Sequence, residues 1–188
     1  MRIVSYPESA VPPDLRRQMV ALQDRAWPSA GQTGPAPWHD QTLDPLSVLL
    51  VDDDTVLSAL DILSKTIAHA SESFAASGIS AMVTDEGVRG SGHGRTLAGA
   101  ARELMRDRGA DLGIFTCDTP LQRFYEGAGW EHLPGTVLIG GTPDAPFPSD
   151  RFDKVTMASF FSPNAKAAHD RFVGARVELY PGLIDKLW

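Results

Sequence analysis

The spacing of apolar residues along the chain predicts alternating strands and helices. Residues 1–6 carry Ile3, Val4 and Tyr6 among polar neighbours and predict a first strand. Pro12, Pro13 and Asp14 open a helix that runs to about residue 27, with Asp14 as its cap or first-turn acid. Residues 47–51 form a short apolar strand. Asp52, Asp53 and Asp54 then make a turn, and residues 56–65 complete a hairpin. Residues 74–84 predict a third strand of the same sheet. Leu97, Ala101, Leu104 and Met105 then recur at helical spacing to about Arg108, where Gly109, Ala110 and Asp111 break the pattern. Residues 112–117 read as a buried strand and 119–126 as a short helix. Residues 130–133 and 137–139 read as extended pieces, 155–161 as a late strand, 165–176 as a last helix and 177–180 as a final extended stretch. Two segments have loop composition. Residues 28–46 are rich in Gly, Pro, Ser and Thr and long enough to suggest a function; residues 140–151 are rich in Gly, Pro and Asp. No repeat or linker divides the chain, so residues 1–188 are expected to be one domain of α/β class with a mixed, mostly antiparallel sheet.

Composition narrows the function classes. At 188 residues and 43% hydrophobic content the chain can bury a substantial core. No apolar run approaches a membrane span, and the first residues lack the apolar stretch of a signal peptide. Cys117 is the only cysteine, so an internal disulfide is impossible and a cytoplasmic location is expected. The histidines at 39, 69, 93, 132 and 169 show no paired ligand spacing, and no metal is expected. A net charge of −7 argues against a nucleic-acid partner. It mildly favours a cationic one, although a solvated acidic surface is the commoner meaning.

The candidate chemistry lies between the third strand and the helix that follows it. There Arg89, Gly90, Ser91, Gly92, His93, Gly94 and Arg95 alternate glycine with other residues and place an arginine at each end. A strand, a glycine turn and a helix N-terminus together hold phosphate, because glycines permit close backbone approach and the first helical turn has free N–H donors. The dinucleotide fingerprint is excluded by Arg95 after Gly94, and the P-loop by the absence of any Gly-Lys pair. The pattern Arg-Gly-x-Gly-x-Gly resembles the acetyl-CoA loop of the GNAT superfamily of N-acetyltransferases. The segment 121–130, with Tyr125, Gly129 and Trp130, resembles the second signature of that family, in the right order and at a suitable separation.

That resemblance implies a GNAT fold whose central strands splay to admit acetyl-CoA. It also implies acetyl transfer by direct attack of an amine. The implied donor contacts are the backbone of Met82 and Thr84 along the pantetheine arm, and Arg89, Gly90, Ser91, Gly92, His93, Gly94 and Arg95 at the pyrophosphate; for the two arginines the alternative is a solvated surface role. Tyr125 stands at the position of the family's general acid, or else only packs its short helix on the sheet. Cys117 reads as a small buried hydrophobe rather than a nucleophile.

Within the superfamily the chain looks most like the aminoglycoside 2′-N-acetyltransferases, including kasugamycin-type enzymes. The likeness rests on the Trp38, His39, Asp40 loop, on the strand 110–116 leading to Tyr125, and on the end of the chain at Trp188. It implies acceptor contacts at Trp38, Asp40, Ser80, Thr116, Asp118 and Trp188, the last through its carboxylate or else as a hydrophobic anchor. Ser80 stands where those enzymes carry a glutamate that helps deprotonate the amine. Another acid (Asp40, Asp61 or Asp118), a water chain or the Trp188 carboxylate would then serve as base, and Asp61, within an apolar strand, is either edge-exposed or placed for use. A small-molecule amine acceptor is expected, with a homodimer as an option. The alternatives are a protein or peptide N-acetyltransferase, longer acyl donors, or a CoA-binding module without catalysis.

Overall fold

The computed structural model describes residues 1–28 and 39–180. The first strand is β1 (Arg2–Pro7), followed by α1 (Pro13–Ala26). Pro13 begins α1, where a missing N–H costs nothing; the cap position is Pro12, so Asp14 is the first-turn acid, paired with Arg17 at 2.6 Å. The hairpin of β2 (Leu46–Asp52) and β3 (Thr55–His69) continues into β4 (Glu72–Thr84), then α2 (His93–Asp107), β5 (Leu112–Asp118) and α3 (Gln122–Glu126). The remaining elements are β6 (Glu131–His132), β7 (Val137–Gly141), β8 (Pro146–Pro148), β9 (Lys154–Phe160), α4 (Pro163–Ala167), α5 (His169–Phe172) and β10 (Arg176–Glu178).

One sheet runs in the order β1-β2-β3-β4-β5-β9-β6, antiparallel except at β4–β5. A second, smaller sheet has the order β10-β7-β8. The continuous apolar run of β2 follows from coverage of both faces. Val48 and Leu50 join Leu60 and Ile62 beneath Leu97, Ala98, Ala101 and Met105 of α2. Leu49 and Val51 join Ala59 and Val83 beneath Met19 and Leu22 of α1.

Two irregularities shape the centre. The strands β4 and β5 are matched only at Ala76↔Leu112 and Ser77↔Gly113, and beyond that point they diverge. The outer edge of β4 towards Thr84 is therefore left without a strand partner. In addition, the register with β3 passes from Ala59↔Val83 to Asp61↔Ser80, so Ala81 and Met82 face Leu60 alone. Ala81 takes φ 47° at this bulge, which turns the strand end relative to its neighbour.

The end of the chain departs from its pattern. The helix expected over 165–176 forms as α4 and α5 and ends at Phe172, where Val173 turns extended one residue before Gly174 at φ +69°. The Gly174 N–H donates to Pro134 O at 3.0 Å and to Thr136 Oγ1 at 3.1 Å, and β10 then pairs parallel with β7. The loop expected over 140–151 contains β8, which pairs with β7 at Gly140↔Phe147. The β10 pairing is with backbone distant in sequence, which local spacing does not register, whereas β8 closes a short hairpin with β7. Among the described residues no helix is long and apolar enough to cross a membrane.

Candidate active site

A cleft of about 520 Å³ opens where β4 leaves β5. Met82, Val83 and Thr84 form one wall and the glycine turn with the start of α2 another; Leu121, Phe124 and Tyr125 lie across it, and Ala26 and Trp27 stand at its rim. The turn is built from local chemistry. Asp85 accepts from Gly87 N at 2.9 Å and pairs with Arg25 of α1 at 3.0 Å, which anchors the exit from β4. Gly90 and Gly92 adopt φ +83° and +84°, a region that costs an L-residue with a Cβ. Gly94 has a different reason to be glycine: a Cβ there would lie 2.7 Å from Thr84 Oγ1 and 3.3 Å from both Met82 Cε and Phe124 Cζ. Its absence lets the helix rest directly on β4.

The N-terminus of α2 has no side-chain cap, so the N–H groups of its first turn point outward unpaired by the helix. Arg89 bonds Thr84 O at 3.3 Å and Glu86 at 3.3 Å and remains more than half exposed. Arg95 lies on the surface beside Gly127. Amide donors, a positive helix end and two exposed guanidinium groups on a narrow cleft suit a diphosphate joined to an extended arm. The residues present therefore fit coenzyme A.

Tyr125 is buried between Phe115 and Phe124, with ring centroids 4.9 Å away in each case, and its hydroxyl donates to Met82 Sδ at 3.5 Å. Burial, with Cys117 and Asp118 nearby adding to it, pushes its phenol well above the ordinary tyrosine range, so the proton stays on at neutral pH. Burial likewise raises the Cys117 thiol to about 12, which leaves it a protonated core residue.

A second polar group lies on the α1 face. Ser47, Asp61 and Ser80 stand in one cross-strand row. Asp61 is enclosed at 1% exposure, accepting from Ser47 Oγ at 2.6 Å and from Gln23 Nε2 at 3.3 Å. Burial raises its carboxyl above the usual range, against the opposing pull of His39. His39 spans Glu8 and Ser80: Nδ1 is 3.2 Å from Glu8 Oε1 and Nε2 is 3.2 Å from Ser80 Oγ. Burial works against its charge, yet the Glu8 hydrogen bond and the carboxylates of Asp61 and Glu8 leave its pKa raised.

The other candidate residues are more dispersed. Asp40 caps the turn Gln41–Leu43, accepting from Thr42 N at 2.9 Å and Thr42 Oγ1 at 2.7 Å, and those bonds hold its carboxyl below the usual range. Thr116 is half-buried on β5 opposite Thr156. Asp118 ends β5, largely exposed and paired with Lys154 at 2.7 Å. Neither Thr116 nor Asp118 lines the cleft described above. Trp38 and Trp188 lie outside the described residues. Sequence patterning did not single out Glu8 or give His39 a role of its own; the two lie 31 positions apart and meet only through the fold.

A family model described as an acetyltransferase (GNAT) domain matches residues 10–133. No curated protein matches the chain. Solved structures share its fold. Escherichia coli ElaA is 17% identical, over 84% of this chain and 99% of its own, with a TM-score of 0.55. The aminoglycoside 6′-N-acetyltransferase from Enterococcus faecium is 13% identical, over 87% of this chain and 98% of its own, with a TM-score of 0.58. An aminoglycoside 6′-N-acetyltransferase complexed with coenzyme A is 13% identical over the same shares, with a TM-score of 0.60.

Proposed function

This chain belongs to the GNAT acetyltransferase family, and we propose that the amine it acetylates is a primary amine of a small molecule, an aminoglycoside amino sugar in particular. It is an N-acetyltransferase that uses acetyl-CoA. The cosubstrate supplies the acetyl group as a thioester. The observation that carries the reading is the convergence of three features on one cleft: the unpaired end of β4, the glycine turn opening α2, and the Tyr125 hydroxyl.

Each residue has a physical role in this reading. The backbone of Met82 and Thr84 offers hydrogen bonds to an amide-bearing arm, as an added strand would take them. Arg89, Gly90, Ser91, Gly92, His93, Gly94 and Arg95 hold the diphosphate. Tyr125, kept protonated by burial, is the donor to a departing thiolate. On the acceptor side, the residues assigned to the amine in this reading are Asp40, Ser80, Thr116 and Asp118 with Trp38 and Trp188, and Asp61 is the cross-strand neighbour of Ser80. Acid groups and a net charge of −7 favour a polycationic sugar. The structural likeness to aminoglycoside 6′-acetyltransferases supports the sugar class. The 2′ position is the regiochemistry we propose.

Thiol release from acetyl-CoA, measured across aminoglycosides, polyamines, amino acids and peptides, tests the reading. Turnover with amino sugars and a singly acetylated product is expected, with the position read by NMR. Turnover confined to peptides would replace the small-molecule acceptor with a protein one.

A further inference from the structure

The polar group on the α1 face takes no part in holding the donor, yet beside the Ser47, Asp61 and Ser80 row it contains a carboxylate at 1% exposure, Glu8, bonded to an imidazole. We propose that Glu8, His39 and Ser80 form the route by which the acceptor's ammonium loses its proton, with the Ser80 hydroxyl in contact with the amine, His39 receiving the proton and Glu8 as the positioning residue. The inference rests on the N-acetyltransferase reading above.

The tautomer follows from the partners. An ionised carboxylate only accepts, so Glu8 Oε1 fixes the proton on His39 Nδ1, and Gln41 Nε2 holds the other Glu8 oxygen at 3.0 Å. His39 Nε2 is then left with its lone pair facing Ser80 Oγ. Ser80 is two positions before Met82, the residue that meets the Tyr125 hydroxyl, and the bulge at Ala81 lies between them, so the two proton-handling groups belong to the same end of β4. The charged groups facing His39 are Glu8 from the turn after β1 and Asp61 from β3; Arg16 of α1 reaches the Glu8 carbonyl at 3.4 Å, and Asp40 is the neighbour in sequence.

The proton balance is simple. The ammonium N–H bond breaks towards Ser80 Oγ as the Ser80 proton passes to His39 Nε2. Serine ends neutral, the imidazole becomes an imidazolium beside the Glu8 carboxylate, and the nitrogen gains a free lone pair. A second proton lost from that nitrogen on amide formation offsets the one that Tyr125 gives up. One proton in total reaches solvent, by way of His39.

The test pairs pH-dependent kinetics with NMR titration of the His39 ring in wild type, H39Q, E8Q and S80A, with CoA affinity by calorimetry and melting temperature as controls. In the wild type His39 should titrate above 6.5, and the acid limb of kcat/KM should share its midpoint. E8Q should move both midpoints to lower pH, since it removes a negative charge and a hydrogen bond from the imidazolium. H39Q should lower kcat about 100-fold with CoA affinity intact. S80A should lower kcat while His39 still titrates above 6.5. Folded H39Q with wild-type kcat and an unchanged acid limb overturns the proposal, as does a His39 midpoint indifferent to E8Q. Wild-type protein that binds CoA and acetylates no amine overturns the underlying reading instead.

Discussion

One oxygen separates the two roles open to Tyr125. Its ring packs between Phe115 and Phe124 whatever the hydroxyl does, so Tyr125→Phe keeps the core and removes only the proton donor. Turnover should fall about 100-fold or more while CoA affinity by calorimetry stays near wild type. The glycines divide by cause in the same way. Gly92→Ala meets open space but must hold φ +84°, and urea unfolding should show a loss of about 1–2 kcal/mol. Gly94→Ala has a permitted backbone but a Cβ 2.7 Å from Thr84 Oγ1, which also bonds Ser58 at 2.9 Å. It should push α2 off β4 and weaken CoA binding more than it lowers stability. Tyr125 and these glycines were legible in the sequence because their meaning is local, a turn and a helix start. Glu8 and His39 were not, because no periodicity links positions that meet across a sheet.

Among elements, the apolar runs translated well and the chain's end did not. The run of β2 and the helical spacing of α2 report burial, and burial is what forms them. The end of the chain is polar enough that pairing decides: α5 ends where Val173 turns extended, and β10 forms because β7 is there to receive it. The junction of α2, α3 and β5 shows how tight such decisions are. At Gly113 a Cβ would lie 2.7 Å from the Trp130 ring and 3.1 Å from Met105 Sδ, while Trp130 Nε1 donates to Ala98 O at 3.1 Å. Gly113→Ala should cost about 1–3 kcal/mol by overpacking, read from the urea midpoint.

For the molecule as a whole, the splayed sheet couples stability to what enters it. Coenzyme A at about 100 times its Kd should add about 2.7 kcal/mol, a rise in Tm of roughly 5–10 °C for a chain of this size. Buried Asp61 gives a second global readout. Folding raises its pKa, so its contribution is complete below about pH 3.8 and is lost as pH rises through the folded value. Asp61→Asn carries no such loss and should gain on wild type in Tm from about pH 4 towards neutrality. By itself the sequence determined the α/β class, the main strands and helices up to β5, and the glycine turn that opens α2. Each of these follows from residues adjacent along the chain, through side-chain spacing or backbone freedom. Only the tertiary structure decided where β4 and β5 part, that Ala81 bulges, and that Glu8, His39 and Ser80 form a single chain of hydrogen bonds. These arise from contacts between segments distant in sequence, whose geometry exists only once the sheet has closed around them.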